Sequence, residues 1–483
     1  MVKGKRFISA TNDNYIGDWN TFPTPVNQKI FENLRTIRAR AREQFQNDVL
    51  MRRYSSMMRN GIVGESGITL QSRVKKRNEE LDKPANKAIE KAWLKWCEEC
   101  DFLGESNIVD FQNLIINTLI TDGEVFIVKQ YDKTGKFTLQ FVDAERCDIQ
   151  HNEGTKSNGN FVVMGIEHDD KGRVVAYYFR NRLRTVHDQY ELGGAESTRV
   201  PAEDVIHIYK KEQIGQTRGI PLIASPLYKL KIIDQYETSA LIASKLGAAH
   251  GGFYYRDENS GESNIPTNEN GEFIEERRPG EINIVPEGWR YDSYDPTYPQ
   301  AMYPEFMKKS VRSLASGLNV SYNVLANDYS DVNFSSLRSA LLEDRDYFKV
   351  EQKFLIKKFL EPVYKTWLKF ALMNGDIKGR TGRPYPFSKL ESFSEFSFVG
   401  RRWDWVDPFK DSKAKRELYD MGAVTLSEII KESGRDPDEI FDEKMKENEI
   451  LLKIREQEGD LNVKQNDNGD GTNEVSNNPV DSE

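Results

Sequence analysis

No stretch of this chain constrains its fold as much as Gly215 to Gly252, GQTRGIPLIASPLYKLKIIDQYETSALIASKLGAAHGG. It opens on a Gly/Thr/Arg/Gly/Pro turn cluster. Pro221 and Pro226 both suit the first turn of a helix, where a missing N–H costs nothing. From about Ser225, Leu227, Leu230, Ile233, Tyr236, Ala240, Ala243 and Leu246 recur every three or four residues. Lys229, Lys231, Asp234, Glu237 and Lys245 fall between them, and Gly251-Gly252 supplies a stop. A helix of about 25 residues is roughly 38 Å long. The pattern alone reads as one long core helix of a globular protein.

The rest of the chain falls into order around it. Met1–Phe31 is polar and irregular, an arm. Asn33–Gly61 reads as a helix carrying Arg35, Arg38, Arg40, Arg42, Arg52 and Arg53. Across Met1–Asn60 there are 11 Lys/Arg against 5 Asp/Glu, although the whole chain carries −9. That end suits DNA, an acidic neighbour, or simply solvent. Lys87–Cys100 and Ile108–Leu119 are helical. From Glu124 the period changes to two, giving about five antiparallel strands up to Lys210, with turns at Asp132–Gly135 and Asp169–Gly172. The fold class is therefore α+β.

After the long helix, Phe253–Pro299 is an acidic excursion broken by Gly and Pro, with strand candidates GEFIEE and EINIVP. Ala301–Leu318 is a second helix, with Pro304 in its first turn. Asn319–Asn333 is a polar loop. Phe334–Gly375 is a long helix, capped by Ser335 or Ser336, kinked at Pro362 and ended by Gly375. More helices follow, and from about Gly459 the chain is too polar to fold and reads as disordered.

The chemistry is sparse. An acidic chain is a poor grip for phosphate, so any DNA contact must be local. Three cysteines exclude a disulfide scaffold, and Cys97/Cys100 read as reduced thiols on a helix. No P-loop, H-E-x-x-H or G-x-S-x-G is present. The five histidines have no ligand spacing, and His207 reads as a packed strand residue. Ile166-Glu167-His168-Asp169-Asp170 is the one acidic cluster a metal-dependent nuclease could use, though such a turn is usually just solvated. No catalytic residue, metal or cofactor is expected. The N-terminus lacks a signal-type apolar region, which implies cytoplasmic synthesis and a soluble protein.

The words of four segments resemble the lambda-type family of tailed-phage portal proteins. The first is Val205–Tyr255, with its strand, G-Q-T-R-G-I-P turn and Ala-rich helix. The second is RARAREQFQNDVLMRRYSSMMRNGIVGESGITLQ, through Asn47, Val63-Gly64 and Leu70-Gln71. The third runs from Asn333 to Gly375, through Phe334-Ser335-Ser336, Arg338, Glu343, Gln352, Pro362 and Trp367. The fourth is RRWDWVDPFKDSKAKRELYDMGAVTLSEIIKESGRDPDEIFDE, through Trp405, Asp407-Pro408, Lys410, Ala414, Gly422, Gly434 and Asp436-Pro437.

The resemblance implies a portal-type α+β protomer with a β-rich wing, two antiparallel stem helices flanking a small clip, and a helical crown. The corresponding segments are an arm (1–32), wing (33–222), first stem helix (223–252), clip (253–299), second stem helix (300–318) and tunnel loop (319–334). A long kinked helix returning to the wing (335–410), the crown (411–458) and a disordered acidic tail (459–483) complete it. It implies a ring of about twelve copies at one capsid vertex of the virion. Double-stranded DNA would pass through without sequence specificity, driven in by a separate terminase large subunit and later ejected. Neck adaptor, major capsid and scaffold proteins are the other implied partners, with no membrane.

Implied DNA-facing loop residues are Tyr322, Asn327, Tyr329, Ser330 and Asn333, with Lys308, Lys309 and Arg312 as a basic band on the stem. Glu272, Glu275, Glu276, Arg277 and Arg278 form the implied docking surface of the clip. The alternatives are another head–tail connector or minor capsid protein, and a DNA-processing enzyme.

Overall fold

The Arg-rich periodic run near the N-terminus folds as two helices, not one. The computed structural model of the chain describes residues 22–133, 135–181, 196–248, 252–256, 289–293, 302–330, 332–403, 408–432 and 437–466. Helix α1 (Val26–Asn47) starts earlier than expected, behind Pro25, and buries Ile30 and Leu34 against Ile149 and Met164. It ends at Asp48, whose extended backbone (φ −92°, ψ 131°) leaves the helical region. The Asp48 carboxylate accepts the Met51 N–H at 2.8 Å and caps α2 (Val49–Ile62). A short polar side chain that bonds its own backbone competes with helix continuation. Asp48→Ala is expected to cost about 1 kcal/mol, read as a lower urea midpoint at unchanged slope. An unchanged midpoint would mean the cap does not hold the break.

Strand β1 (Thr69–Ser72) follows, then α3 (Lys83–Glu98), capped by Asp82, and α4 (Ile108–Thr121), held by a reciprocal Asn107/Asp110 capping box. Where about five strands are expected, the described residues form seven, in two antiparallel sheets. The first has the order β3-β2-β8, from β2 (Glu124–Tyr131), β3 (Phe137–Val142) and β8 (Val205–Tyr209). The second follows chain order: β4 (Phe161–Val163), β5 (Ile166–His168), β6 (Val174–Arg180) and β7 (Ser197–Pro201).

Two corrections to the strand reading have local causes. FVVMGIEHD is a hairpin, not one strand, because Met164 and Gly165 turn at φ 49° and 80°. Strand β7 is polar and half-exposed, so it shows no apolar alternation. The sheets share a core of Phe126, Val128, Val142, Ile166, Tyr177 and Phe179.

The long helix is α5 (Leu227–Ala248), and its periodic residues Leu227, Leu230, Ile233 and Ala240 are buried as their spacing predicts. Strands β9 (Gly252–Arg256) and β10 (Trp289–Ser293) pair antiparallel and close the base of the acidic excursion. GEFIEE, EINIVP and residues Glu272, Glu275, Glu276, Arg277 and Arg278 lie outside the described residues. Helix α6 (Tyr303–Gly317) runs antiparallel to the first half of α5. Gly317 sits against Pro226, while the Tyr303 and Phe306 rings lie 5.8 and 5.2 Å from Tyr236.

Next come α7 (Tyr322–Ala326), α8 (Phe334–Leu355), α9 (Glu361–Met373), the short α10 (Leu390–Phe393) and β11 (Phe396–Val399), which pairs with β1. The N-cap of α8 is Asn333, accepting the Ser336 N–H at 2.8 Å, rather than Ser335 or Ser336. The helix is interrupted before Pro362, by a π turn over Ile356–Leu360. In an α turn the Pro362 ring would meet the carbonyl four residues back, and the wider turn avoids it. Gly375, at φ 71°, ends α9 as expected.

A second unit, Arg402–Glu483, contains α11 (Pro408–Asp420), α12 (Leu426–Glu432) and α13 (Pro437–Asn466). Helix α13 continues past Gly459, where disorder is expected from the sequence. One Gly costs a propagating helix about 1 kcal/mol relative to Ala and does not stop it.

Candidate functional site

The G-Q-T-R-G-I-P turn that precedes α5 is built around Arg218. Its side chain and that of Glu124, at the start of β2, are both fully buried. Arg218 Nε donates to Glu124 Oε1 at 2.7 Å. Its other nitrogens donate to the carbonyls of Cys147 (3.0 Å), Met164 (2.6 Å) and Ala144 (3.3 Å). Arg38 of α1 reaches the same carboxylate oxygen at 2.5 Å. The second oxygen accepts the Gly219 N–H at 2.9 Å and lies 3.0 Å from His207 Nε2. A carboxylate only accepts, so His207 carries its proton on Nε2.

The carboxylate thus ties α1, the first sheet and the entry to α5, and Arg218 extends the hub to the β4–β5 turn through the Met164 carbonyl. Burial alone would raise the Glu124 carboxyl; the Arg218 and Arg38 charges and the His207 hydrogen bond outweigh it and hold the group well below its usual range. Burial lowers His207 despite the nearby Glu124, which favours the neutral ring. The glycines beside the hub are there for space. A Cβ on Gly123, at φ 79°, would lie 2.0 Å from the Ile220 carbonyl carbon, and one on Gly219 would lie 2.1 Å from the Gly123 oxygen.

This hub corrects part of the basic-helix reading. Arg38 is 2% exposed and structural, not a surface cation. Arg42 forks onto Asp122 (2.6 and 2.9 Å) and reaches Asp143 at 3.0 Å. Arg53 donates to the Val324 carbonyl at 3.1 Å. Arg35, Arg40 and Arg52 are exposed. The available sequence signals for the hub were a lone acid heading the apolar run EVFIV and a lone Arg between turn glycines.

The polar loop after α6 folds back on itself. Tyr322 lies in α7, and Asn327 ends that helix in the left-handed region (φ 53°, ψ 36°). The Tyr322 hydroxyl donates to Asp328 at 2.8 Å; the Ser330 hydroxyl and N–H donate to the other Asp328 oxygen at 2.6 and 3.1 Å. These bonds, from Ser330 first and then Tyr322, hold the Asp328 carboxyl below its usual range. Lys308 Nζ lies 3.6 Å from the same carboxylate, and the Arg312 guanidinium sits 5.1 Å over the Tyr322 ring.

Of the expected loop residues, Asn327, Tyr329 and Ser330 are exposed, Tyr322 is half-buried, and Asn333 is engaged as the α8 cap. Of the expected basic band, Lys309 and Arg312 are exposed and Lys308 is half-buried. Ser321, at the head of the loop, is tied by N–H and hydroxyl to Asp344 of α8 at 2.8 and 2.5 Å.

The acidic cluster near Glu167 is a structural network. Glu167 is 2% exposed and accepts from Arg199 (2.7 Å), Asn160 (2.7 Å) and Tyr178 (3.1 Å). Asp169 holds the β5–β6 turn through Arg173. Among the described residues no three His, Cys, Asp or Glu side chains are grouped to hold a metal, and no helix is long and apolar enough to cross a membrane. Cys97, Cys100 and Cys147 are buried free thiols. His207 packs in β8, stacked on Phe126 at 4.3 Å.

Comparison with known proteins points one way. The family model described as Phage portal protein, lambda family, matches residues 13–352. The chain is 31% identical over 428 residues to the probable portal protein of Halomonas phage phiHAP-1, covering 86% of this chain and 80% of that one. It is 23% identical over 476 residues to portal protein B of Escherichia phage lambda, covering 89% and 86%. A chain of a solved structure, the neck of an empty GTA particle, aligns at a TM-score of 0.44 and 11% identity, over 83% of this chain and 93% of that one.

Proposed function

This chain belongs to the lambda family of phage portal proteins, and on that premise we propose that its copies close into a ring of about twelve around a DNA channel. A phage portal protein is a structural, non-enzymatic head–tail connector. In this reading α5 and α6 are the stem, and the excursion based on β9–β10 is the clip. The sheets with α1–α4 are the wing, 319–333 is the tunnel loop, and the second unit is the crown. DNA is packaged through the ring by a separate terminase motor docking on the clip, where a neck adaptor later binds, and is then ejected through it.

The observation that carries the reading is the order of elements. An antiparallel helix pair flanks an excursion closed by two paired strands, and a polar loop follows directly. The same pair leaves Tyr228, Leu241, Ile242 and Phe306 at 78%, 67%, 53% and 54% exposure in a single chain. Apolar surface of that size suits cover by a neighbouring copy. Exposed polar and basic groups on α6 and its loop meet phosphates without reading bases, and salt weakens such contact.

The test is the mass of the purified protein by native mass spectrometry, across protein concentration and salt. A closed species of about twelve copies is expected. A stable monomer or dimer throughout would overturn the reading in favour of a minor capsid protein.

A further inference from the structure

Asp328 sits at the centre of a cluster of donors from α6, α7 and the loop that follows. Its two oxygens take the Tyr322 hydroxyl, the Ser330 hydroxyl and the Ser330 N–H, with the Lys308 ammonium 3.6 Å away. The backbone holds the carboxylate there. The left-handed turn at Asn327 reverses the chain, Asp328 N–H donates to the Asn323 carbonyl at 3.1 Å, and Asn323 Nδ2 donates to the Asp328 carbonyl at 2.9 Å. Two hydroxyls, one amide N–H and one ammonium converging on an oxygen pair form a typical phosphate-binding set.

We infer that Lys308, Tyr322 and Ser330 form a phosphodiester-binding site that the chain's own Asp328 occupies, so that the loop touches DNA without holding it. The inference rests on the proposed DNA-facing role of residues 319–333. An internal carboxylate already satisfies the donors, and its charge repels an approaching phosphate. A passing duplex therefore meets a neutralised surface at this loop, and the net grip falls to the remaining exposed cations, among them Lys309. Arg312, held over the Tyr322 ring, is the next cation in line once the carboxylate charge is gone.

The experiment is binding of a fluorescein-labelled 30-base-pair duplex, of arbitrary sequence, to the full chain by anisotropy between 50 and 200 mM salt. Asp328→Asn keeps the shape and removes the charge. It is expected to bind tighter than the wild type at 50 mM. Its affinity should also fall about 3.5-fold more than that of the wild type across this salt range, the equivalent of one added phosphate contact. Lys308→Gln in the same chain should cancel both changes. Lys308→Gln alone should leave the salt slope unchanged, because Lys308 faces Asp328 and makes no phosphate contact of its own.

Two results would overturn the inference: Asp328→Asn binding no tighter with its thermal melt intact, or Lys308→Gln alone flattening the salt dependence as the loss of a phosphate contact would. If Asp328→Asn does not fold, the Lys308→Gln result decides. The mass of each variant is measured alongside. A wild type that never forms a ring counts against the proposed function, whereas a ring whose Asp328→Asn form binds like the wild type counts against this site alone.

Discussion

Glu124→Ala lowers the stability of the larger unit by about 3–5 kcal/mol. The single carboxylate compensates two buried guanidinium groups, Arg38 and Arg218, and also accepts from His207 and the Gly219 N–H. Removing it leaves Arg218 buried without its paired carboxylate and Arg38 with only Glu145, 3.4 Å away, the costly way to break a buried pair. The contrast is Lys136→Ala. Lys136 pairs with Glu99 at 3.2 Å, but both are about half exposed, so its loss costs no more than about 1 kcal/mol. Urea unfolding followed by tryptophan fluorescence separates the two. Equal midpoint shifts for Glu124→Ala and Lys136→Ala would show that the hub does not hold the unit together.

The same hub sets a direction for pH. Both His207 and Glu124 have lowered folded-state pKa values. Each therefore contributes stability that is present above its unfolded value and lost as pH falls through and below it. The His207 share is lost first, as pH drops below about 6.5, and the Glu124 share below about 4.3. Wild-type stability should fall from neutral to mildly acidic pH, and His207→Gln should flatten the upper part of that decline.

Trp367→Ala is expected to cost about 3–5 kcal/mol. Trp367 is 2% exposed on α9, with ring centroids 5.0 Å from Trp93, 5.6 Å from Tyr364 and 6.4 Å from Trp96. Trp96 in turn stacks on Phe137 of β3 at 5.5 Å, so the cluster joins α3, α9 and the first sheet. Loss of near-ultraviolet ellipticity should accompany the lower midpoint. A shift below about 1 kcal/mol would mean that the neighbouring rings close the cavity.

What was legible in the sequence follows range. Helix α5 shows in its own spacing, and Leu227, Leu230, Ile233 and Ala240 are the buried face. The alternation in EVFIVKQY and RVVAYYF, and the stop at Gly375, are local for the same reason. The hub was not legible, because Arg218 and Glu124 are 94 residues apart and neither belongs to a period. Pairing of β1 with β11 joins Thr69 to Val399, and a four-residue strand carries no signal of its partner. The break at Asp48 was hidden by the arginine periodicity on either side of it. The polarity of the loop is plain in the sequence, and Asn327 and Tyr329 are exposed. That Asp328 gathers Tyr322, Ser330 and Lys308 depends on the left-handed turn at Asn327, which an Asn permits but does not announce.

The most direct test of the account is an electron cryomicroscopy reconstruction of the purified assembly, read for the position of Asn327, Tyr329 and Ser330. A closed ring of about twelve copies is expected, with these residues on the channel wall and Asp328 still bound to Tyr322 and Ser330. A ring with the loop on its outer surface, or an assembly with no central channel, would contradict it.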